Sequence, residues 1–289
     1  MACGGTSVSD DTESSSPERE QPVDQGAPMR ETYGDDANQF GDLTLPADIG
    51  ADPLPVVVLI HGGFWRTGFG LELMEPLVPS LVDEGYAVWN VEYRRVGVGP
   101  EGGGGYPETF DDLAAAIDRL QSLSEQAGGR LDLNRVVTVG HSAGGHLAAW
   151  LSSRTSLSED SAWAVPAVAP VLAVSQAGVL DLERCVADGV GGTACRDLLG
   201  SGDGLEDRIA VASPAALLPI EARVVAVHGS ADPIVPLDQS SGYVDDAVAA
   251  GSPAELRVIK GADHFDVIDP SHPAWLAVLD VLADELGSA

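Results

Sequence analysis

Ser142 lies in a stretch whose residue types and spacing suit nucleophilic catalysis. The β-branched, mostly apolar residues 136–139 are followed by Gly140-His-Ser-Ala-Gly144, and a helix-forming run begins at once. A strand, a sharp turn and a helix make the G-x-S-x-G nucleophile elbow, in which the turn projects the serine Oγ above the sheet edge. Glycines on both sides let the strand and the helix close without Cβ clashes. A Gly-Ser turn without chemistry is the alternative, and partners elsewhere in the chain decide between the two.

Two backbone segments could stabilise a negative charge beside Ser142. The N–H of Ala143 opens the helix, where unpaired donors and the helix dipole favour an anion. Residues 61–65, His-Gly-Gly-Phe-Trp, follow the first buried strand, and their glycines allow close backbone approach. Acyl transfer needs such donors, each worth about 3 kcal/mol of transition-state stabilisation. We therefore predict that residues 61–65 serve an oxyanion hole rather than a plain turn, with Trp65 packing beside the pocket.

An acid and a base follow in the order that serine catalysis uses. Asp232 comes just after one buried strand, and His264 comes just after the next. A serine hydroxyl needs an imidazole base, and the imidazole needs a carboxylate that holds its tautomer. The order Ser142, Asp232, His264 accompanies nucleophile elbows and differs from the chymotrypsin and subtilisin orders. Two other acids compete: Asp238 is predicted to lie inside the next helix, and Asp263 is too close in sequence to His264 to orient it.

The elements around these residues alternate between strands and helices. The pattern predicts a hairpin over residues 30–33 and 39–45. Short apolar runs predict further strands over residues 56–60, 87–93, 165–174, 223–228 and 255–259. Helices are predicted where longer periodic runs occur, over residues 71–84, 106–126, 237–250 and 273–286. The glycine-rich residues 97–105 between them are predicted to form a surface loop.

This alternation predicts an α/β fold with a mostly parallel central sheet and helices on both faces. Residues 176–219 break the alternation, being rich in Gly, Asp and Ala. They are predicted to form a small insertion before the seventh strand, over the carboxyl edge of the sheet, where sites in such folds lie.

Taken together, the motifs resemble the α/β-hydrolase superfamily over about residues 30–286. They are most similar to the esterase/lipase branch that includes kynurenine formamidases and small carboxylesterases. The motifs that carry this similarity are the elbow, His-Gly-Gly-Phe-Trp at residues 61–65, Gly-Ser-Ala-Asp-Pro at 229–233 and Gly-Ala-Asp-His-Phe at 261–265. The resemblance implies the α/β-hydrolase fold, and it implies oxyanion donors from the N–H groups of Gly62, Gly63 or Phe64, joined by Ala143. One departure is that the large amino-terminal cap of that group has no counterpart here.

The ordered set predicts a serine hydrolase that cleaves a carboxylic ester of a small substrate through an acyl-enzyme. An amidase or formamidase of the N-formylkynurenine type, or a small peptidase, is the alternative within enzymes. A binding protein on an inactive hydrolase scaffold is a hypothesis of another class, since a fold does not determine function. The complete set of Ser142, Asp232 and His264 speaks against that hypothesis.

Length and charge limit the partners of the chain. Its 289 residues suffice for one α/β domain with a sizeable core. The formal net charge of −30 argues against nucleic acid or anionic membrane surfaces as partners. No spacing typical of metal ligands recurs, so neither a metal nor a cofactor is expected. A small-molecule ester or amide is the expected partner, and the sequence does not indicate an oligomeric state.

Residues 1–28 are predicted to form a disordered acidic tail ahead of a domain over residues 29–289. Ser, Asp, Glu, Thr, Pro, Gln and Gly dominate the tail, which cannot offset its ordering entropy. Cys3, in Met-Ala-Cys-Gly-Gly, resembles the diacylated cysteine at the mature end of a bacterial lipoprotein, although the basic and apolar signal regions are missing. Either a signal was removed and a Met supplied, or the resemblance is accidental.

The chain has three cysteines, and two of them, Cys185 and Cys195, lie ten positions apart in the predicted insertion. The glycines between them are flexible enough to bring the two Cα atoms to disulfide distance. We predict a bridge between Cys185 and Cys195 and a lipid anchor on Cys3, which together indicate an exported protein of the cell envelope. The alternative is a cytoplasmic enzyme whose thiols stay reduced.

Overall fold

Over the residues described by the computed structural model, namely Met1, residues 26–47, Gly50 and residues 52–287, eight strands form one sheet. The strands are β1 (Met29–Thr32), β2 (Phe40–Thr44), β3 (Leu54–Ile60), β4 (Ala87–Val91), β5 (Leu131–His141), β6 (Leu172–Gln176), β7 (Arg223–Gly229) and β8 (Ala254–Ile259). Their order across the sheet is β1-β2-β4-β3-β5-β6-β7-β8. The β1–β2 and β2–β4 pairs are antiparallel, and every pair from β4 to β8 is parallel. The predicted hairpin and the mostly parallel sheet are confirmed.

The central strands are apolar on both sides because helices cover both faces of the sheet. The helices are α1 (Val78–Asp83), α2 (Glu108–Gln126), α3 (Ala143–Ser153), α4 (Leu182–Asp188), α5 (Ala194–Leu199), α6 (Leu205–Ala212), α7 (Asp238–Ala249) and α8 (Pro273–Leu286). On one face Val56 and Val58 of β3 pack in a core with α2 and α3. On the other face Val57 and Leu59 pack in a core with α1 and α8.

Two of the predicted elements are wrong, and proline explains both. The single helix predicted over residues 71–84 consists of two 3-10 turns, Leu71–Leu73 and Glu75–Leu77, followed by α1. Pro76 and Pro79 lie early in the second turn and in α1, where a missing N–H is tolerated, but they cannot continue one helix.

The strand predicted over residues 165–174 begins only at Leu172. Pro166 and Pro170 lie in the first part of that range, and neither can donate a hydrogen bond to a sheet ladder. Further 3-10 turns occur elsewhere, over Arg154–Ser156, Pro214–Leu217 and Asp266–Ile268.

Three helices, α4, α5 and α6, and one 3-10 turn lie between β6 and β7, where the insertion was expected over residues 176–219. The structure joins Cys185 of α4 to Cys195 of α5 in a disulfide, with the two Cα atoms 6.3 Å apart. The predicted pairing of these two cysteines is therefore present in the fold.

The tail predicted over residues 1–28, with the lipid anchor on Cys3, lies outside the described residues apart from Met1 and residues 26–28. Among the helices of the described chain, none combines the length and the apolar character needed to cross a membrane.

Candidate active site

Ser142 lies in the turn between β5 and α3 with backbone angles of φ 53° and ψ −116°. This left-handed conformation costs energy for a residue with a side chain, and it is typical of a nucleophile elbow. A Cβ on Gly140 would overlap the carbonyl oxygen of Gly144, and a Cβ on Gly144 would overlap that of Ile60. Both glycines are therefore needed for α3 to pack against the ends of β3 and β5.

His264 and Asp232 form a hydrogen-bonded pair at the same edge of the sheet. The Nδ1 of His264 lies 2.7 Å from Oδ2 of Asp232, and both side chains are almost fully buried. Asp232 follows β7 and His264 follows β8, the neighbouring parallel strand, so the carboxyl ends of the two strands bring the two loops together. A carboxylate at Nδ1 leaves Nε2 as the atom that can accept a proton from a nucleophile.

His141 connects this pair to the elbow. Its Nε2 donates a hydrogen bond to the carbonyl oxygen of His264 over 2.8 Å, and the two imidazole rings lie 4.6 Å apart. Since His141 directly precedes Ser142, this hydrogen bond holds the loop that carries His264 beside Ser142. Burial, together with the nearby charge of His264, lowers the pKa of His141 to about 3, so this imidazole is neutral.

The two oxygens of Asp232 are fully used. Burial alone would raise its pKa, but hydrogen bonds from His228 and His264 and from the N–H groups of Val235 and Ile234 hold the pKa well below the ordinary range. Oδ1 accepts the two backbone bonds, at 2.8 and 2.9 Å. Oδ2 faces both imidazoles, with Nε2 of His228 at 3.3 Å. Asp232 is therefore a permanent anion that is held in one orientation.

His228 is a member of the site that the sequence analysis did not identify. It is completely buried, and its Nε2 also donates to the carbonyl oxygen of Val235 over 3.0 Å. Its Nδ1 lies 2.8 Å from the hydroxyl of Ser240. A signal was available in the sequence, because His228 directly follows the apolar residues of β7 and lies four residues before Asp232.

The loop after β3 has the backbone that an oxyanion hole requires. Gly63, Phe64 and Trp65 have φ values of 112°, 58° and 56°, which form a left-handed turn. A Cβ on Gly62 would lie 2.9 Å from Nδ1 of His141 and 3.1 Å from Cβ of Ser142, so this glycine packs closely against the elbow. The loop thus lies directly beside Ser142.

Free donors are available in this loop. Across residues 52–287, the N–H groups of Gly63, Phe64 and Ala143 donate no hydrogen bond to another group of the protein. Phe64, Ser142 and Ala143 also line one common cavity. Of the four predicted oxyanion residues, Gly62 and Ala143 contact or adjoin Ser142, and Gly63, Phe64 and Ala143 offer unpaired N–H groups that could receive a negative oxygen.

A buried cluster of His61, Glu92 and Arg95 supports this loop. His61 donates from Nδ1 to the carbonyl oxygen of Gly62 over 2.7 Å, and its Nε2 lies 2.9 Å from Oε1 of Glu92. The His61 ring stacks on Tyr93 at 4.3 Å. Burial would raise the pKa of Glu92, but His61 and the guanidinium of Arg95 lower it below its ordinary value. These contacts let His61 shape the loop, and its partner Glu92 was not predicted from the sequence.

A hydrogen bond between Trp65 and His146 holds the carboxyl end of the 61–65 loop. The indole N–H of Trp65 donates to Nδ1 of His146 over 3.2 Å, and Nε2 of His146 donates to the carbonyl oxygen of Ala212 over 2.8 Å. Trp65 is 1% exposed and lines the cavity beside Ser142. It is a packing residue, as predicted.

The competing acids serve other purposes. The side chain of Asp263 accepts hydrogen bonds from the N–H groups of Phe265 and Asp266, which shapes the loop around His264. Asp238 is the first residue of α7, as the sequence predicted. Within the described part of the chain, no cluster of three or more His, Cys, Asp or Glu side chains is arranged to hold a metal ion.

The cavity beside Ser142 is small. Ser142 and Ala143 line it, together with Phe64 and Trp65. Its volume is about 10 Å³. That is about the space that one water molecule or one methyl group needs.

Comparisons with known proteins agree with this geometry. Esterase LipC of Mycobacterium tuberculosis is 28% identical over 261 residues, which cover 83% of this chain and 60% of LipC. The isoprenylcysteine alpha-carbonyl methylesterase ICME of Arabidopsis thaliana is 28% identical over 252 residues, covering 81% of this chain and 56% of ICME. The chain thus spans less than two thirds of the length of either relative.

A solved structure of a truncated carbohydrate esterase from gut microbiota superposes with a TM-score of 0.75 at 20% identity, covering 92% of this chain and 98% of that one. This likeness confirms the predicted α/β-hydrolase fold. The family model of BD-FAE matches residues 42–245, which is more than half of the chain. The chain therefore belongs to the BD-FAE family of α/β-hydrolases.

Proposed function

We propose that the chain is a serine carboxylesterase that cleaves a carboxylic ester of a small substrate through an acyl-enzyme on Ser142. The observation that carries this proposal is the hydrogen-bonded pair of His264 and Asp232 beside a serine held at positive φ. A serine, an imidazole and a buried carboxylate together convert a weak hydroxyl into a nucleophile. The esterase names of the curated relatives support the same reaction class.

In the first step, Oγ of Ser142 attacks the ester carbonyl carbon and Nε2 of His264 takes its proton. The permanent carboxylate of Asp232 stabilises the imidazolium that forms, and it keeps the proton of the neutral ring on Nδ1. The carbonyl oxygen gains negative charge and lies against the free N–H groups of Ala143 and of Gly63 or Phe64. Because these donors are already oriented, no reorganisation is needed as the charge develops.

In the second step, His264 returns the proton to the leaving alcohol, and the acyl group stays on Ser142. A water molecule then repeats the sequence, with His264 again taking a proton, and the carboxylic acid is released. The comparisons favour the ester over the amide substrates that the sequence left open, since LipC is an esterase and ICME a methylesterase.

Covalent labelling and turnover test the nucleophile together. The enzyme should hydrolyse p-nitrophenyl acetate, and a phosphorylating organophosphate should add one group per chain at Ser142. Ser142→Ala should abolish the labelling and lower kcat by several orders of magnitude, as removal of such nucleophiles does. Ser158→Ala is the matched control, because Ser158 is an exposed serine elsewhere on the surface. Stoichiometric labelling that persists in Ser142→Ala would refute the assignment.

We also propose that the protein is exported. The disulfide between Cys185 and Cys195 supports this, because disulfides persist in oxidising compartments. Thiol alkylation of the full chain, read by intact mass with and without reductant, tests the bridge in protein isolated from its native compartment. Alkylation of Cys185 and Cys195 without reductant would contradict export to an oxidising compartment.

A further inference from the structure

The small cavity beside Ser142 lies on the acyl side of the proposed reaction. Its lining includes Ser142, Ala143 and Phe64 but not His264. The base must deliver its proton to the leaving alcohol, so the alcohol has to lie towards His264. The part of the substrate that lies away from His264, beside the free N–H groups of Ala143 and Phe64, is the acyl group. The cavity is therefore the space for the acyl chain, a conclusion that rests on the proposed function.

The segment that contains the disulfide forms a second wall of the cavity, next to Phe64. Val190, Gly191 and Cys195 line the cavity from that side. A Cβ on Gly191 would lie 2.8 and 2.9 Å from two carbons of the Phe64 ring, so the two walls are in contact at this point. The closeness of these walls is what limits the cavity to about 10 Å³.

The loop between α4 and α5 is rich in glycines with unusual backbone angles. Gly189, Gly191 and Gly192 all have positive φ values, of 68°, 66° and 71°. Glycine in such a position retains more freedom than any other residue. The disulfide closes this loop by joining Cys185 to Cys195 at its two ends, and both cysteines are buried in the core. The bridge thus restrains the stretch that carries Val190 and Gly191.

Hydrogen bonds and an ion pair hold α5 in place beside the loop after β3. Arg66, in the loop after β3, donates to the hydroxyl of Thr193 over 2.7 Å and pairs with the carboxylate of Asp197. The N–H of Tyr106 donates to the carbonyl oxygen of Leu198 over 2.7 Å. The N–H of Val190 donates to the carbonyl oxygen of Cys185 over 3.2 Å, which ties Val190 to α4, and the bridge ties α4 to the anchored α5.

We propose that the Cys185–Cys195 bridge sets the acyl-chain length that the enzyme accepts, by holding Val190 and Gly191 against Phe64. With the bridge intact, the cavity takes an acyl group of about two carbons, since it has room for one methyl group. Without the bridge, the glycine-rich loop moves away from Phe64 and longer acyl chains enter. Selectivity between short and longer acyl groups is thereby coupled to the oxidation state of two buried cysteines.

The test compares kcat/KM for p-nitrophenyl acetate and p-nitrophenyl butyrate in a Cys3→Ser background, in which the bridge is the only cysteine chemistry left. The acetate-to-butyrate ratio should fall about tenfold or more in the double variant Cys185→Ser/Cys195→Ser, since misfit methylenes cost about that factor each. A dithiol reductant should have the same effect. It supplies two electrons and two protons, so the disulfide becomes two thiols while the reductant closes to its own disulfide.

Val190→Ala widens the cavity with the bridge intact and should lower the ratio in the same direction. Val186→Ala is its matched control, because Val186 lies in α4 but does not line the cavity, and its ratio should match that of the parent. Should the double variant fail to fold, the reduced parent enzyme and Val190→Ala give the answer.

The outcomes separate this inference from the proposed function. An unchanged ratio in the bridge-free enzyme, with acetate still hydrolysed, overturns the role of the bridge and leaves the esterase proposal intact. An unchanged ratio in Val190→Ala as well overturns the assignment of the cavity to the acyl group. Absence of ester hydrolysis and of Ser142 labelling in the parent enzyme overturns the proposed function itself.

Discussion

Asp232 shows how much a single carboxylate depends on its neighbours. Two backbone N–H groups bind Oδ1, and two imidazoles face Oδ2. Asp238, six positions further on, begins α7. The sequence predicts Asp232 just after a buried strand and Asp238 inside the next helix, and the hydrogen bonds of Asp232 agree with that distinction. The difference between these two aspartates is therefore a difference of position, because their side chains are identical.

Asp232→Asn and Asp238→Asn form a matched pair of variants. Asparagine at position 232 offers an amide where His264 needs an acceptor, so the imidazole loses both its orientation and its counter-charge. We expect kcat to fall by about 10⁴-fold, as in other triads. Asp238→Asn should leave kcat within about threefold of the parent, since its side chain does not touch His264. Steady-state ester hydrolysis measures both. A larger loss in Asp238→Asn than in Asp232→Asn would mean that the acid is misassigned.

His228 is expected to act as a positioning residue for Asp232. A carbonyl oxygen only accepts hydrogen bonds, so Nε2 of His228 carries the proton that it shares between Val235 and Asp232. In His228→Gln we expect kcat to fall about tenfold with KM nearly unchanged, because the orientation of the carboxylate matters mainly in the transition state.

The double variant His228→Gln/Asp232→Asn distinguishes positioning from a purely structural role. If His228 acts through Asp232, its substitution should cost almost nothing once Asp232 is already asparagine. If the two losses multiply instead, His228 stabilises the fold without positioning the acid. His272→Gln serves as the control histidine, because His272 caps α8.

At the scale of elements, the loop after β3 is held between two layers of contacts. The stack of His61 on Tyr93, with Glu92 behind it, fixes the loop from the sheet side. Ser142 and His141 press on it from the elbow. Gly62 contacts both His61 and the elbow, so the space at its Cα determines how closely the loop can approach Ser142.

Gly62→Ala should therefore impair catalysis more than folding. Its Cβ would lie 2.9 Å from two atoms of His141 and 3.1 Å from Cβ of Ser142, so the loop must retreat by a few tenths of an ångström. Displacing an oxyanion donor costs about 10²–10³-fold in kcat, and we expect a loss of that order. Gly50→Ala is the matched control, since a Cβ there meets no atom within 4 Å. Equal kcat in the two variants would contradict the role of this loop.

Elements with strong local signals were predictable from the sequence, and those set by tertiary contacts were not. The apolar run that became β3 and the amphipathic run that became α2 were both found. Residues 71–84 were misjudged because apolar content outweighed the two prolines. The contacts of Val190 with the cavity could not be foreseen, since they depend on how α4 and α5 fold back over the sheet. The proximity of Asp232 and His264 was predictable because strand order brings their loops to one edge, whereas the contacts of His228 and Glu92 depend on the register of their strands.

At the scale of the whole molecule, charge and burial act on stability in opposite directions as the pH falls. The formal net charge is −30, and protonation of carboxylates in acid relieves their mutual repulsion. Buried neutral histidines destabilise the folded protein as the pH falls, because the unfolded chain binds protons that the folded chain excludes. His146 is the clearest case, since no charged group contributes to its shift: burial lowers its pKa from 6.5 to about 4.

The contacts of His146 explain why it stays neutral. Its Nδ1 accepts the indole N–H of Trp65, and its Nε2 donates to Ala212. A second ring proton would point at the indole N–H, so protonation breaks the contact that fastens the oxyanion loop. The sign of its effect follows from the lowered pKa. Above pH 6.5 His146 is neutral in both states and does not lower the free energy of unfolding. As the pH falls from 6.5 to about 4, proton binding by the unfolded chain lowers that free energy.

His146→Gln removes this proton uptake while an amide can still accept from Trp65 and donate to Ala212. The free energy of unfolding of the parent should fall more steeply between pH 6.5 and 4, by up to about 1.4 kcal/mol per pH unit relative to the variant. Urea unfolding of the full chain at a series of pH values and constant ionic strength measures both slopes. Carboxylate repulsion is common to the two proteins and cancels in the difference. Parallel slopes over this range would show that the folded protein accommodates a proton on His146, contrary to its buried and fully bonded position.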